Sequence, residues 1–144
     1  MPEVKVQELV PVPIDRAWAL VSDLSRLGEW LDILEAWRGE VPSELSEGVE
    51  IVAVVSAKGI RNKVTFVVTE YDAPKRMRLV GDGIGGTKVT LAFALAPTGD
   101  DTTMELDIDF QHPALKGPIA SIAGKTIKSD LAKALDKFVA LATA

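Results

Sequence analysis

The hydrophobic period of this chain changes from that of strands to that of a helix near Pro113, and that change constrains the fold more than any other feature. Just before it, Met104, Leu106, Ile108 and Phe110 alternate with polar residues, which is the pattern of a strand with one buried face. After it, apolar residues recur at helical spacing almost to the end of the chain, which predicts one long C-terminal helix. The apolar stripe of that helix consists of Ile119, Ile122, Ala123, Ile127, Leu131, Leu135, Phe138 and Val139.

The middle of the chain predicts strands separated by turns. Apolar, β-branched-rich runs cover residues 49–57, 61–71, 77–80 and 89–95, and glycine or proline punctuates the gaps between them. Strands joined by short turns pair antiparallel, so a long helix that follows them must lie across one face of the sheet. We therefore expect an α+β fold with a curved antiparallel sheet of six to seven strands wrapped around the C-terminal helix.

The segment from Leu9 to Trp30 leads from an extended strand directly into a helix. Pro11 and Pro13 fix the backbone and remove hydrogen-bond donors, so the first strand must end there. Gly28 then breaks a second helical turn and leaves Trp30 beside a loop, so two short helices are expected after strand 1. The apolar face of the first of them is formed by Ile14, Ala17, Trp18 and Val21.

This segment resembles the opening of the START-like, Bet v 1-like superfamily (SRPBCC), and in particular its polyketide cyclase/dehydrase and lipid-transport branch. Residues 71–77 are similar to the family's turn between two middle strands, and the C-terminal helix extends the resemblance over essentially the whole chain. The resemblance implies a helix-grip fold with a ligand cavity between the sheet and the long helix. The matching positions in the opening are Val10 to Pro13, Ala17, Trp18, Asp23 and Trp30.

Composition narrows the class of protein. With 144 residues, 47% of them hydrophobic, the chain is long enough for one core, and we expect a single domain over residues 1–144. No stretch approaches the roughly 20 apolar residues that cross a bilayer, so stable membrane insertion is not expected. A net charge of −5 argues against nucleic-acid binding. The lack of cysteine excludes disulfides and thiolate chemistry and, with no secretory signal at Met1, favours a cytoplasmic location.

No residue pattern predicts a catalytic or metal centre. The only histidine, His112, follows the last strand, where a role at a polar rim or at the start of the helix is favoured over general-base catalysis. A base needs an orienting carboxylate, and Glu105 and Asp109 lie on the other face of that strand. The glycine cluster at 81–86 lies between two strands, so it predicts a hairpin rather than a phosphate loop. One histidine and scattered acidic residues predict no metal site, and no cofactor is expected.

The candidate site is therefore an apolar cavity. Its walls are expected to be formed by large side chains on the strands, namely Phe66, Val89, Leu91, Phe93, Leu106 and Ile108. Its floor is expected to be the start of the long helix, with Ile119, Ile122 and Ala123. Trp30 is expected at the lip, Trp37 near the mouth and His112 at the polar rim.

Three functions fit this pattern. The preferred one is binding or transport of a hydrophobic small molecule, such as a lipid or a polyketide-like compound. A cyclase or aromatase is the enzymatic alternative, since such enzymes mostly position a reactive chain and need few polar groups. The third is a protein-interaction role, because short members of the family are described as toxins of toxin–antitoxin pairs, which implies a protein partner.

Overall fold

A seven-stranded antiparallel sheet and a long C-terminal helix make up most of the structure, a computed structural model that describes residues 3–42, 44–57 and 60–144. The predicted α+β helix-grip fold is confirmed. The strands are β1 (Glu3–Val10), β2 (Leu34–Arg38), β3 (Glu50–Ala57), β4 (Ile60–Asp72), β5 (Arg76–Gly83), β6 (Lys88–Thr98) and β7 (Asp101–Gln111). The helices are α1 (Ile14–Val21), α2 (Pro118–Ala142) and two 3-10 helices, the first at Leu24–Glu29 and the second at Ile84–Gly86.

The order of the strands across the sheet is β1-β7-β6-β5-β4-β3-β2, so β1 and β2 are its edges. Alternation is complete along β7, where every second residue from Thr102 to Phe110 is buried and those between are half-buried. Across the β6–β7 pairing, Leu91 lies opposite Ile108 and Phe93 lies opposite Leu106. The concave face of the curled sheet is therefore a continuous apolar surface.

The N-terminal helices close one side of this surface. The segment between β1 and α1 is tied to the sheet because the Thr102 hydroxyl donates a buried 2.8 Å hydrogen bond to the Val12 carbonyl. Trp18 on α1 is buried, with its ring centroid 5.7 Å from that of Tyr71. The first 3-10 helix follows directly and buries Leu24 and Leu27.

Helix α2 packs on the sheet most heavily through its second half. It begins after Gly117, whose φ of 55° lies in the left-handed region that favours glycine, and Pro118 occupies the first turn. No helix within the described ranges is long and apolar enough to cross a membrane. Buried side chains of the first half are Ala120, Ala123 and Ile127, whereas those of the second half are Leu131, Ala134, Leu135, Phe138 and Ala142.

The expectation that Ile119 and Ile122 lie on the buried stripe is wrong. Their side chains are 58% and 56% exposed. Each residue of an α-helix advances the direction of the side chain by about 100°, so Ile122 points about 160° away from Phe138. The buried stripe therefore passes through Ala123, and the two isoleucines lie outside it.

Loss of the Phe138 ring is expected to destabilise the fold strongly. Phe138 is fully buried on α2, and Phe138→Ala should lower the free energy of unfolding by about 3–5 kcal/mol through lost burial and a residual cavity. Lys133→Ala, at an exposed position of the same helix, should lower it by less than about 0.5 kcal/mol. Urea denaturation measures both, and equal losses would contradict the orientation of α2.

The edge strand β1 places one carboxylate against α2. Glu8 has the same parity as the buried residues Val4 and Val10, so its side chain faces the groove between β1 and α2 that Asp136 also lines. Burial raises the pKa of the Glu8 carboxyl above its ordinary 4.5, and hydrogen bonding with Asp136 and charge repulsion from it raise that pKa further.

A raised pKa in the folded state predicts a pH-dependent stability. The contribution of protonated Glu8 to the stability of the folded state is fully present below the ordinary pKa. It is lost as the pH rises through the raised pKa. The melting temperature of Glu8→Gln minus that of wild type should therefore increase as the pH rises from about 4 to about 7, because glutamine has no charge to bury. Asp136→Asn should give a smaller rise with the same sign. A constant difference across this range, measured by thermal melting, would contradict the shift.

Candidate functional site

Three aromatic side chains meet between the sheet and α2. Trp30, which ends the first 3-10 helix, packs edge-on against Phe93 of β6 and Phe138 of α2, with ring centroids 6.1 Å and 5.0 Å away. Its side chain is fully buried. The sequence predicts Trp30 at the lip of a cavity. Its contact with a ligand stays a prediction, but the structure places its side chain inside the core. The physical reason is that the 3-10 turn, closed by the bond from the Trp30 amide to the Leu27 carbonyl, leaves the indole under α2, where its large apolar area is removed from water.

The indole N–H of Trp30 is a buried donor without an acceptor among the described residues. A buried N–H left unpaired costs about 1–3 kcal/mol, and tryptophan N–H groups in protein interiors are usually paired. The aromatic cluster therefore holds one polar group whose hydrogen bond the described part of the chain does not provide.

Trp37 provides the contrast within the same chain. It is half-buried on β2, and its indole N–H donates to the Leu24 carbonyl of the first 3-10 helix. Its ring packs edge-on against Phe66 at a centroid distance of 6.4 Å. Gly81 of β5 lies opposite Phe66, and a Cβ there would lie 2.8 Å from the Phe66 ring, so glycine leaves the space that the ring needs. Through its hydrogen bond to the Leu24 carbonyl, Trp37 holds β2 to the first 3-10 helix.

An opening of about 120 Å³ lies between α2 and the segment that follows Trp30. Its walls are mixed, with apolar side chains inside and carboxylates of Asp32 and Asp130, both exposed residues, at the rim. Leu31, next to Trp30 in the chain, is one of the apolar walls. The full lining is Leu31, Asp32, Ile33, Ser56, Ile127, Asp130 and Leu131.

One exposed ion pair joins the two sides of this opening. The Lys137 ammonium of α2 lies 2.7 and 2.8 Å from the two carboxylate oxygens of Asp32. Exposed pairs of this kind typically contribute about 0.2–1 kcal/mol, because water screens them and both side chains lose freedom. The pair therefore connects α2 to the segment that contains Asp32, but contributes little to holding them together.

The residues that the sequence predicts as the walls and floor of the cavity fall into two groups in the structure. Strand side chains and one helix side chain are all buried in the core between sheet and helix: Phe66, Val89, Leu91, Phe93, Leu106, Ile108 and Ala123. None of these lines the 120 Å³ opening, and Ile119 and Ile122 lie outside the core. Contact of any of them with a ligand stays a prediction.

His112 shapes the turn between β7 and α2. It is half-buried just beyond the end of β7, and its Nδ1 accepts a 3.0 Å hydrogen bond from the Ala114 amide. The Asp109 carboxylate accepts from the Gln111 side chain instead. His112 therefore lacks the orienting carboxylate that a general base needs, within the described residues. These residues also contain no group of three side chains arranged to hold a metal ion.

Sequence reasoning missed most of the rim. Leu31, Asp32 and Ile33 lie between the first 3-10 helix and β2, where no hydrophobic period exists to predict their direction. The helical period does place Ile127 and Leu131 on the buried stripe, but their position beside an opening depends on where the loop lies across from them. In the sequence, only the run of apolar residues directly after Trp30, namely Leu31, Ile33 and Leu34, indicates contact of this segment with the core.

Comparisons with known proteins agree with this architecture. Residues 1–143 match the family described as polyketide cyclase / dehydrase and lipid transport. An uncharacterized protein of Mycobacterium tuberculosis is 41% identical over 141 residues, which cover 98% of this chain and 99% of that protein. Another M. tuberculosis protein, named a toxin, is 37% identical over 130 residues, 90% of each chain.

Solved structures share the fold at lower identity. A crystal structure of a Thermus thermophilus protein superposes with a TM-score of 0.78 at 20% identity, covering 99% of this chain and 97% of that one. A START superfamily protein from Mycobacterium smegmatis superposes with a TM-score of 0.74 at 19% identity, covering 96% and 97%. Because the family match spans all but the last residue, the chain belongs to the polyketide cyclase/dehydrase and lipid transport family.

Proposed function

We propose that this protein binds an apolar small molecule carrying a hydrogen-bond acceptor, between the concave face of the sheet and α2. The observation that carries the proposal is the fully buried indole N–H of Trp30, which has no acceptor in the described part of the chain. A carbonyl, ether or hydroxyl oxygen of a bound molecule would complete that bond. The apolar side chains around Trp30 would supply most of the affinity through burial of the rest of the ligand.

The opening beside Leu31 is the proposed route to this site. Its volume of about 120 Å³ is smaller than the roughly 300–1,000 Å³ of typical ligand pockets, so binding requires the rim to widen. Two features support such movement. The inward side chains in the first half of α2 are mostly small, and the exposed pair between Lys137 and Asp32 is weak.

The family description supports the same function, since it includes lipid transport. Its mention of cyclase and dehydrase activity, and the toxin name of one relative, supply the two alternatives. Neither alternative is favoured by a contact in the described residues, because His112 has no carboxylate partner there and the aromatic cluster contains no acid or base.

The Trp30 donor predicts selectivity for an acceptor. Benzophenone and diphenylmethane have similar shapes, but only the first carries a carbonyl oxygen. Wild-type protein should bind benzophenone more tightly by about two- to tenfold, the contribution of one hydrogen bond, and Trp30→Phe should remove that preference. Calorimetric or fluorescence titration measures the four affinities.

Trp37→Phe is the matched control, because its indole N–H is already bonded to Leu24 and this variant should keep the preference. A preference for benzophenone that survives Trp30→Phe would contradict the proposal. So would a result in which neither compound, and no member of a panel of fatty acids and sterols, binds the wild-type protein.

The proposed route predicts that a bulky side chain at the rim obstructs binding. Asp130→Trp places an indole at the opening, whereas Ser129→Trp places one at the neighbouring exposed position, outside the lining residues. Stopped-flow measurements should show slower association at least severalfold for Asp130→Trp only. Equal association rates in the two variants would show that ligands enter elsewhere.

A further inference from the structure

Large apolar side chains are exposed at one end of the molecule. Ile84 is 70% exposed in the second 3-10 helix, and Ile119 and Ile122 are 58% and 56% exposed on the first turns of α2. The connections from β5 to β6 and from β7 to α2 lie at the same end of the sheet, since Asp82 pairs with Lys88 and Lys88 pairs with Gln111. We call Ile84, Ile119 and Ile122 the isoleucine surface.

The loop that presents Ile84 is held in place by hydrogen bonds. The Asn62 side chain accepts from the Ile84 amide at 2.8 Å and donates to the Ile84 carbonyl at 2.9 Å. The same Asn62 amide donates to the buried Thr87 hydroxyl. A Cβ at Gly86 would lie 3.3 Å from the Pro113 ring, so this loop also lies against the turn that leads into α2. The exposure of Ile84 is therefore a property of an anchored loop.

Positive charge accompanies this apolar surface. The segment 112–129 contains Lys116, Lys125 and Lys128 and no carboxylate, although the whole chain has a net charge of −5. All three lysines are exposed, and none takes part in the four salt bridges found among the described residues. Lys128 lies about 180° around the helix from Ile119 and lines the groove that also contains Glu8 and Asp136, so Lys116 and Lys125 are the cations that accompany the isoleucine surface. Lys125 follows Ile122 by three residues, so the two side chains lie on adjacent turns of one helix face.

We propose that this end of the molecule docks on an anionic lipid surface. The isoleucines would enter the boundary between headgroups and acyl chains, and the lysines would meet the anionic headgroups, as in helices that lie at a membrane interface. An acidic protein is repelled by an anionic membrane except through a basic face, so the same charges would orient the molecule. Pairing with a second copy about this surface is disfavoured because it would bring Lys116 and Lys125 of the two copies together. The proposal does not depend on the interior ligand.

Vesicle co-sedimentation tests the proposal with the intact chain. Wild-type protein should bind vesicles of phosphatidylcholine mixed with phosphatidylglycerol, should bind pure phosphatidylcholine much more weakly, and should be released by salt. Ile119→Ser with Ile122→Ser should lower the partition coefficient by about tenfold or more, and Lys116→Gln and Lys125→Gln by about fivefold each. These positions are exposed, so the variants should keep the wild-type circular dichroism and melting temperature.

Two variants serve as controls. Leu9→Ser removes a 50% exposed leucine on β1, and Lys133→Gln removes an exposed lysine farther along α2, so both should bind vesicles like wild type. Failure to bind anionic vesicles, or undiminished binding by the double isoleucine variant, would overturn the proposal. So would self-association that the double isoleucine variant abolishes in the absence of vesicle binding, since the surface would then be a contact between protein molecules.

Discussion

The packing of Trp30 against Phe138 is the interaction on which the rest of the structure depends, because it joins parts of the molecule that no strand pairing connects. Hydrogen-bonded ladders position the seven strands, but α2 and the first 3-10 helix meet the concave face mainly through side chains. Trp30 comes from the end of that 3-10 helix, Phe138 from α2 and Phe93 from β6. Burying each of these rings contributes on the order of 1.5–3 kcal/mol, so a single cluster fixes the helix, the loop and the sheet relative to one another.

The helix is consequently held unevenly. Near Phe138 its inward side chains are large, whereas Ala120 and Ala123 in the first half remove far less apolar surface from water. The opening lies where these two regimes meet, beside Ile127 and Leu131. The opening thus lies at the boundary between the half of α2 with small buried side chains and the half with large ones. The sequence predicts the architecture around it well, because the alternation in β7 and the helical period of α2 each leave one face apolar, and burying both faces permits few architectures.

Local patterns do not fix the direction of residues at the margins of an element or in irregular segments. Ile119 and Ile122 have the composition of a buried stripe, yet the helical rotation places Ile122 nearly opposite Phe138. Trp30 follows a glycine and a turn, features that are typical of the surface, but its position under α2 depends on tertiary packing that no local period records. No local period fixes the direction of the rim residues 31–33 either, so the sequence does not predict their position beside the opening.

The two tryptophans that flank this rim show how one residue type serves two purposes. Trp37 donates to the Leu24 carbonyl, so its indole both fills space and fastens β2 to the 3-10 helix. Trp30 fills space equally well, but its donor finds no acceptor in the described residues, and a phenylalanine would fill much of that space without the cost of an unpaired N–H. Apolar burial alone separates ligands poorly when they differ by a single polar atom. A buried donor separates them well, because a molecule that lacks an acceptor leaves the donor unpaired. In the proposed site, the aromatic cluster would therefore set the affinity and the Trp30 N–H would set the selectivity.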